Sequence, residues 1–286
     1  MTKIESETGN VVPGSLNQVA VTTRYTFLDY LRSRRFAILM ILMLVISAIL
    51  TFVFAYRRPA SALVDPLAFY STWWGMSATF VVILSGIFFG GDAISSEFQN
   101  RTGYFVLPNP VRRSSVYVGK YVAALIAASI VLIIFTLITV SNGLYYFGFN
   151  IPGVFWESAF FDWVYLLAVL GFAFFVSSLF KSGSYSILVN AIFLLFAFSL
   201  IEGLVAGLVN IEPWFVLTYG AGIVGNVLMS TYPAHYIPAP TTGPGARFAI
   251  PSYNATIPEG LVILVAYFIF TAILGLYLFE RKEFNA

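Results

Sequence analysis

The chain alternates long apolar runs that carry no charge with short segments that are polar or basic. Residues 36–56 form the first such run, and about 20 residues at a rise of about 1.5 Å each cross the ~30 Å hydrocarbon core of a bilayer. Later runs repeat this character along the rest of the chain. The pattern predicts an all-α polytopic membrane protein with six transmembrane helices, at residues 36–56, 73–90, 116–140, 160–180, 184–209 and 260–279.

The connections between these runs differ in character. Residues 141–158 are rich in glycine and aromatic side chains, and we expect them to join the third and fourth spans as a loop. Trp73 and Trp74 are expected in an interfacial aromatic belt at the start of the second span. The loop at residues 210–259 begins with an apolar, glycine-rich stretch, 214–229, that is too short to cross and predicts a re-entrant or interfacial pair of half-helices. Its later part holds six prolines, which predicts a stiff, extended loop.

The chain before the first span has two parts. Residues 1–18 are polar and lack an apolar core, so we expect a flexible cytosolic N-terminus and no cleavable signal peptide. Residues 19–35 mix aromatic and leucine side chains with arginines, which is typical of an amphipathic helix at the membrane interface. A simple stop-transfer flank of the first span is the alternative. Residues 36–286 then form the transmembrane domain.

The composition excludes several classes of protein. The 286 residues are 59% hydrophobic and 10% charged, whereas soluble domains carry about 25% charged residues. Cysteine is absent from the sequence, so disulfides and thiolate metal sites are excluded. The net charge of +2 is too small to indicate nucleic-acid binding, and the surroundings that the composition implies are a lipid bilayer.

Positive charge is concentrated on one set of segments. If both termini lie in the cytoplasm, twelve of the fifteen Lys and Arg residues are inside, and only Arg57, Arg58 and Arg247 are outside. Cytoplasmic loops of membrane proteins carry an excess of Lys and Arg. We therefore expect a multi-pass protein of the cell membrane with both termini cytoplasmic and with the loop at residues 210–259 on the outer side.

The cytosolic loop between the second and third spans, residues 91–115, interrupts the apolar pattern with acids, arginines and two prolines. Residues 93–101 can form a short helix with Asp92 as its N-cap. Glu97 and Arg101 stand four residues apart in the favourable order, acid before base, so they can pair on that helix.

The same short helix would be amphipathic. Ile94 and Phe98 are four residues apart and fall on one face, and the opposite face is polar. That polar face consists of Ser95, Ser96, Gln99 and Asn100. A helix of this kind between two spans can lie in the interface and present its polar face to a partner. An ordinary basic loop that only orients the protein is the alternative.

These residues resemble the cytosolic loop of the type-2 ABC permeases. The resemblance rests on residues 91–98 (GDAISSEF), the NRT at 100–102, Pro108 and residues 112–120. In that family the loop acts as the coupling element that docks on a separate ATPase subunit. The resemblance implies ATPase-coupling roles for the loop residues and for the turn before the fifth span: Ile94, Ser95, Ser96, Glu97, Phe98, Asn100, Arg101 and Lys181.

The overall layout of the chain resembles the same family. Six spans, an N-terminal surface helix, the loop around Glu97 and a long outer loop between the last two spans all agree with it. The resemblance implies a dimer of permease subunits, identical or different, working with two copies of an ABC ATPase. ATP and Mg would bind to that ATPase, and we expect no cofactor on this chain.

The motifs of an enzyme are missing from the sequence. None of the four lysines stands in the phosphate-binding pattern G-x-x-x-x-G-K-[ST], so ATP hydrolysis would belong to a partner chain. The single histidine, His235, lies in the proline-rich loop, where a solvated side chain is the expected state. We therefore expect no catalytic residue and no metal site.

Polar residues within the spans are candidates for a substrate path. Glu202 is interpreted as the one acidic residue well inside a span, and intramembrane charge usually faces a cavity or a partner. Asn190 and Ser199 can share a helix face with it, and Ser77 and Ser85 are the candidates on the second span. The alternative for Glu202 is a position near the outer end of the span, in contact with water.

Residues 254–256 (NAT) form an N-glycosylation sequon on the predicted outer side, which makes Asn254 a candidate glycan site. Such triplets also occur by chance.

Together these observations predict the transmembrane permease subunit of an ATP-driven ABC exporter. Two other classes stay open. An ion-coupled secondary carrier normally needs several buried charges or broken helices near the bilayer centre. A membrane assembly or scaffold protein would carry out no transport of its own.

Overall fold

The computed structural model describes residues 14–99, 112–239 and 251–282, and this part of the chain is mostly helical. In chain order its elements are α1 (Ser15–Arg32), α2 (Arg34–Arg57), α3 (Pro66–Gly90), α4 (Ser95–Gln99), α5 (Arg113–Phe147), α6 (Gly153–Leu179), α7 (Gly183–Ile192), α8 (Phe198–Leu204), α9 (Leu217–Ala221), α10 (Ile223–Asn226), β1 (Tyr236–Ile237), β2 (Ser252–Tyr253) and α11 (Ile257–Arg281).

Six helices in the described ranges are long and apolar enough to cross a membrane. Five of them contain α2, α3, α5, α6 and α11. The other runs over Gly183–Val209 and consists of α7 and α8 with two π-helical turns, Phe193–Ala197 and Val205–Val209. The predicted all-α, six-span architecture is therefore confirmed.

The predicted loop at residues 141–158 is wrong. α5 continues to Phe147 and α6 begins at Gly153, so only residues 148–152 connect them. Gly143, which favoured a loop in the sequence, lies inside α5, where an added Cβ would clash with the Tyr70 hydroxyl. A glycine needed for close helix contact has the same appearance in a sequence as a glycine needed for a turn.

The second span begins before the two tryptophans. Asp65 caps α3 through its carboxylate, which accepts a hydrogen bond of 2.7 Å from the Ala68 amide. Trp73 and Trp74 consequently lie inside the helix and are fully buried, so their predicted place in an interfacial belt is wrong. The indole of Trp74 donates to the Ser158 hydroxyl of α6 at 3.0 Å, which satisfies its polar atom within the core.

α3 and α6 form the centre of the bundle. In their most apolar stretches 78% and 72% of the residues are buried, compared with 17% in α2 and 17% in the fifth span. The two helices approach closely at Gly90, where an added Cβ would lie 2.6 Å from the Cβ of Ala173. The other spans surround this pair and expose broad apolar faces, as expected of surfaces that meet lipid or another subunit.

α1 lies along α5, as a helix ahead of the first span. It begins at Ser15, four residues before the predicted start. Thr23 donates a hydrogen bond of 3.1 Å to the Gly119 carbonyl, and the Gln18 side chain accepts one of 3.0 Å from the Arg112 amide. Residues 1–13 lie outside the described residues.

The connection after the fifth span contains two short helices, α9 and α10, at the predicted position of the half-helices. Their apolar side chains are buried against α3, α6 and α11, with Leu217 and Val224 at 0% exposure. The described ends of the proline-rich part pair as the antiparallel strands β1 and β2, in which Tyr236 stands opposite Tyr253. This pairing carries the chain back to the start of α11.

Candidate functional site

The predicted docking helix is shorter in the structure than in the sequence interpretation. Residues 91–94 form turns, and α4 covers only Ser95–Gln99. Asn100 and Arg101 lie outside the described residues. Asp92 was expected to cap the helix through its side chain, but its backbone carbonyl accepts from the Ser96 amide at 3.0 Å, and its carboxylate contacts Arg35 at 2.5 Å.

The start of α4 is held by a serine from α6. The amides of Ile94 and Ser95 both donate to the Ser177 hydroxyl oxygen at 3.0 Å. The first amides of a helix have no partner within the helix, and a hydroxyl from another helix satisfies them here. Both Ile94 and Ser95 are fully buried. Ser95 was expected on the outward polar face, and that expectation is wrong, because tertiary contact covers both sides of this first turn.

Two ion pairs join the same segment to α2 and α5. Arg35, at the start of α2, pairs with Asp92. Lys120 of α5 pairs with Glu97 and also donates to the Ala93 carbonyl at 3.0 Å. The side chains of Lys120 and Glu97 are only 13% and 19% exposed, so solvent screens this pair less than a surface pair. The structure thus gives Glu97 a partner 23 residues away in sequence.

The start of the fifth span contacts the segment from another side. The Gly183 amide donates to the Gln99 side chain at 2.6 Å, and the Ser186 hydroxyl donates to the Gly91 carbonyl. The amide group of Asn190 lies 3.4 Å from the same carbonyl and is fully buried. Lys181, in the turn before these residues, is exposed.

The end of α11 also contacts the 91–99 segment. Phe98 of α4 meets Phe279 edge to face, with ring centroids 6.2 Å apart. The Lys282 ammonium lies 4.4 Å from the centroid of the Phe98 ring and donates to the Phe180 carbonyl at 2.7 Å. Partial burial, with a smaller contribution from nearby Lys181, lowers the pKa of Lys282 to about 8.

A polar cleft of about 300 Å³ opens beside α4. Its walls come from α1, the start of α2, the 91–99 segment, α5 and the start of α7, and they include Asp29, Arg35, Ser96 and Lys120. Ser96 and Gln99 are the α4 side chains that reach this cleft. The outward surface of the segment is therefore small, polar and flanked by charges of both signs.

The candidate substrate-path residues are divided between separate places. Ser199 and Glu202 line one cavity of about 320 Å³, where the Glu202 carboxylate accepts from the Thr218 hydroxyl at 2.5 Å. Ser77 and Ser85 are buried, and each donates back to a carbonyl one turn earlier in α3. Asn190 contacts the 91–99 segment, so the structure brings together only Ser199 and Glu202 of the five.

One intramembrane acid was missed by the sequence interpretation. Asp162 is fully buried in α6, and neither carboxylate oxygen has a hydrogen-bond partner among the described residues. The statement that Glu202 is the one acid well inside a span is therefore wrong. The signal was present, since Asp162 lies within the predicted span 160–180.

The sequon asparagine lies just after β2. The Asn254 side-chain amide donates to the Ala234 carbonyl at 2.9 Å, which helps to join the two ends of the β1–β2 connection. Its use as a glycan acceptor stays a prediction.

Comparison with known proteins agrees with this architecture. A search of the curated proteins found no match to the chain. The sequence model of the family described as ABC-2 family transporter protein, in contrast, matches residues 24–284, from within α1 to beyond α11. Members of this family are the membrane subunits of transporters and associate with an ABC ATPase. The match covers nearly the whole chain and agrees with the six spans, and the chain therefore belongs to the ABC-2 family as a transmembrane ABC transporter subunit.

Proposed function

We propose that this chain is the permease subunit of an ATP-driven exporter and that the 91–99 segment transmits the movement of a separate ATPase subunit. The observation that carries the proposal is the set of bonds that holds this segment. It contacts α2 through Asp92, α5 through Glu97, α6 through Ile94 and Ser95, and the fifth span through Gln99. A force on one short segment would reach four spanning helices directly.

The contacts also indicate how such a force would spread. Hydrogen bonds to backbone groups and ion pairs with little solvent exposure resist sliding of the 91–99 segment against its neighbours. The segment would therefore move together with the helix ends bound to it. α3 and α6 are central and closely packed, whereas α2 and the fifth span are peripheral. Docking at α4 would therefore tilt the peripheral spans against a rigid centre.

The exposed apolar faces of the peripheral spans suit a second permease subunit, identical or different. Two copies of the ATPase would bind the ATP and Mg.

The charge distribution supports a cytoplasmic position for this segment in a cell membrane. Arg35, Lys120, Lys181 and Lys282 lie at the α4 end of the bundle, while Arg57 ends α2 at the opposite end. Positive charge is enriched on the cytoplasmic side of membrane proteins. This distribution supports a cytoplasmic position for α4, the start of α2 and the end of α11, and a chain with both termini in the cytoplasm.

Co-purification tests the proposal. The full chain, tagged, is expressed with its ATPase subunit, and retention of the ATPase is measured for Ser96→Arg and for the control Ser230→Arg. Ser96 faces the cleft beside α4, whereas Ser230 is exposed at the opposite end of the bundle. We expect Ser96→Arg to lose the ATPase and Ser230→Arg to retain it. Equal retention in both variants would contradict docking at α4.

A carrier driven by ions is the second candidate, and Asp162 is the observation that favours it. A buried acid without a hydrogen-bond partner in the described residues is expensive in a membrane and is often functional. Transport in proteoliposomes separates the two candidates. Uptake that requires the ATPase and ATP supports the exporter, and uptake driven by an ion gradient without ATP supports the carrier.

A further inference from the structure

Three residues from distant parts of the sequence meet at the end of the bundle opposite α4. Glu212 follows the fifth span, His235 precedes β1, and Glu259 lies in the first turn of α11. One ligand atom from each of the three lies within 4.8 Å of the other two. All three side chains are partly exposed, at 28%, 46% and 27%, so a solute ion can reach them.

The imidazole of His235 is oriented by the backbone. Its Nδ1 lies 3.0 Å from the Asn254 carbonyl oxygen, which only accepts hydrogen bonds, so Nδ1 carries the proton. The neutral ring then presents the lone pair of Nε2 to the Glu212 carboxylate, 3.3 Å away. Two acceptors face each other at that distance, which is favourable only when a proton or a cation lies between them.

The two carboxylates are held in a similar way. The Tyr219 hydroxyl donates to one oxygen of Glu212 at 2.7 Å, and the Thr256 amide donates to one oxygen of Glu259 at 3.2 Å. Each group keeps its other oxygen for a further contact.

We propose that Glu212, His235 and Glu259 bind a divalent first-row transition-metal ion of the Zn²⁺ type. Zinc accepts imidazole nitrogen and carboxylate oxygen at about 2.0–2.2 Å, and two such ligands in a tetrahedron lie about 3.4 Å apart. The 3.3 Å between His235 and Glu212 already fits that spacing. His235 donates to the Asn254 carbonyl, and the two carboxylates accept from Tyr219 and Thr256. Such hydrogen bonds are the outer contacts that orient metal ligands.

The ligand set favours a transition metal over the common hard cations. Ca²⁺ and Mg²⁺ prefer ligands that are all oxygen. Imidazole nitrogen suits zinc and the other first-row transition metals. A bound transition metal would fasten the connection at residues 212–235 to the start of α11, which joins the fifth and sixth spans at this end. The site is independent of ATPase docking at α4, which is at the other end.

Titration of the purified full chain tests this site. The chain carries a tag without histidine, is stripped with a chelator, and is titrated with ZnCl₂ by calorimetry while its unfolding temperature is followed. We expect one Zn²⁺ per chain and a higher unfolding temperature. CaCl₂ and MgCl₂ are expected to produce neither. His235→Gln and Glu212→Gln should each weaken the binding by at least about tenfold.

The control is Glu157→Gln, which removes an exposed carboxylate at the same end of the bundle. It should bind zinc as the natural chain does. Unfolding of the metal-free variants shows whether they fold, and His235→Gln changes only an exposed ring, so a folded variant is expected. Zinc binding that is unchanged in folded His235→Gln, or absent from the natural chain, would overturn the proposal.

Discussion

At the scale of single residues, the acidic side chains within the bundle differ in whether they form an ion pair. Glu97 pairs with Lys120, and Asp92 pairs with Arg35, so both acids of the 91–99 segment are tied to spanning helices. Asp162 has no such partner among the described residues. The first two acids are expected to stabilise the fold, and the third is expected to destabilise it.

Glu97→Ala is therefore expected to destabilise the protein by about 2 kcal/mol, because it removes the carboxylate that pairs with the largely buried Lys120 ammonium. Replacing both partners, as in Glu97→Gln with Lys120→Met, should restore part of the loss. Thermal unfolding in detergent measures both variants, with Glu157→Gln as the exposed control. A loss no larger than ~0.5 kcal/mol in Glu97→Ala would mean that the pair behaves as an exposed one.

Asp162→Leu is expected to stabilise the fold by about 1–3 kcal/mol, since a buried polar group without a partner among the described residues is replaced by an apolar one of the same branching. Asp162→Asn keeps the shape and should change stability less. Unfolding temperature and transport are compared for the two variants. Higher stability with normal transport marks Asp162 as a structural liability, whereas higher stability with lost transport gives it a functional role. Strong destabilisation by leucine would contradict the absence of a polar partner.

At the scale of elements, α4 is defined by other helices more than by its own sequence. Five residues are too few for a stable isolated helix. Its first amides depend on Ser177, its last residue on Gly183, and its aromatic side chain on the end of α11. The contacts with other helices therefore determine how rigid the 91–99 segment is.

Ser177→Ala tests that dependence. It removes the acceptor for the amides of Ile94 and Ser95, so hydrogen exchange of these two amides should become faster, and coupled ATP hydrolysis should fall. Ser178→Ala is the matched control, because its hydroxyl donates only to the Phe174 carbonyl of its own helix. Faster exchange in both variants, or in neither, would contradict the bracing role of Ser177.

At the scale of the whole molecule, one end of the bundle carries α4 and most of the described Lys and Arg side chains, and the other carries the described parts of the loop between the last two spans. We expect this polarity to orient the chain in the membrane with the α4 end in the cytoplasm. It also separates the two proposed sites, since docking concerns one end and metal binding concerns the other.

Cysteine labelling checks the orientation, and the sequence has no cysteine that would give background. Ser61, Ser184 and Ser230 are exposed in the structure. In intact cells an impermeant maleimide should label Ser61→Cys and Ser230→Cys. Ser184→Cys, near α4, should react only after the membrane is permeabilised. Labelling of Ser184→Cys in intact cells would reverse the proposed topology.

The amino-acid sequence by itself determined the class of protein and the number of spans. Apolar runs of about 20 residues are decided by their own composition, because the bilayer imposes the same length on each of them. The family resemblance was also readable, since the motif at residues 91–98 is contiguous. The predictions for Trp73 and Gly143 were wrong because burial by a neighbouring helix cannot be predicted from the local sequence.

Only the tertiary structure decided which side chains meet. Glu97 and Lys120 are separated by 23 residues, and Ser177 lies 83 residues from Ile94. Asn190 was expected to face a substrate path, and its contact with the 91–99 segment depends on how the fifth span packs against α6. Helical periodicity gives the face on which a residue lies but not the neighbour that this face meets. The packing of six helices supplies that neighbour.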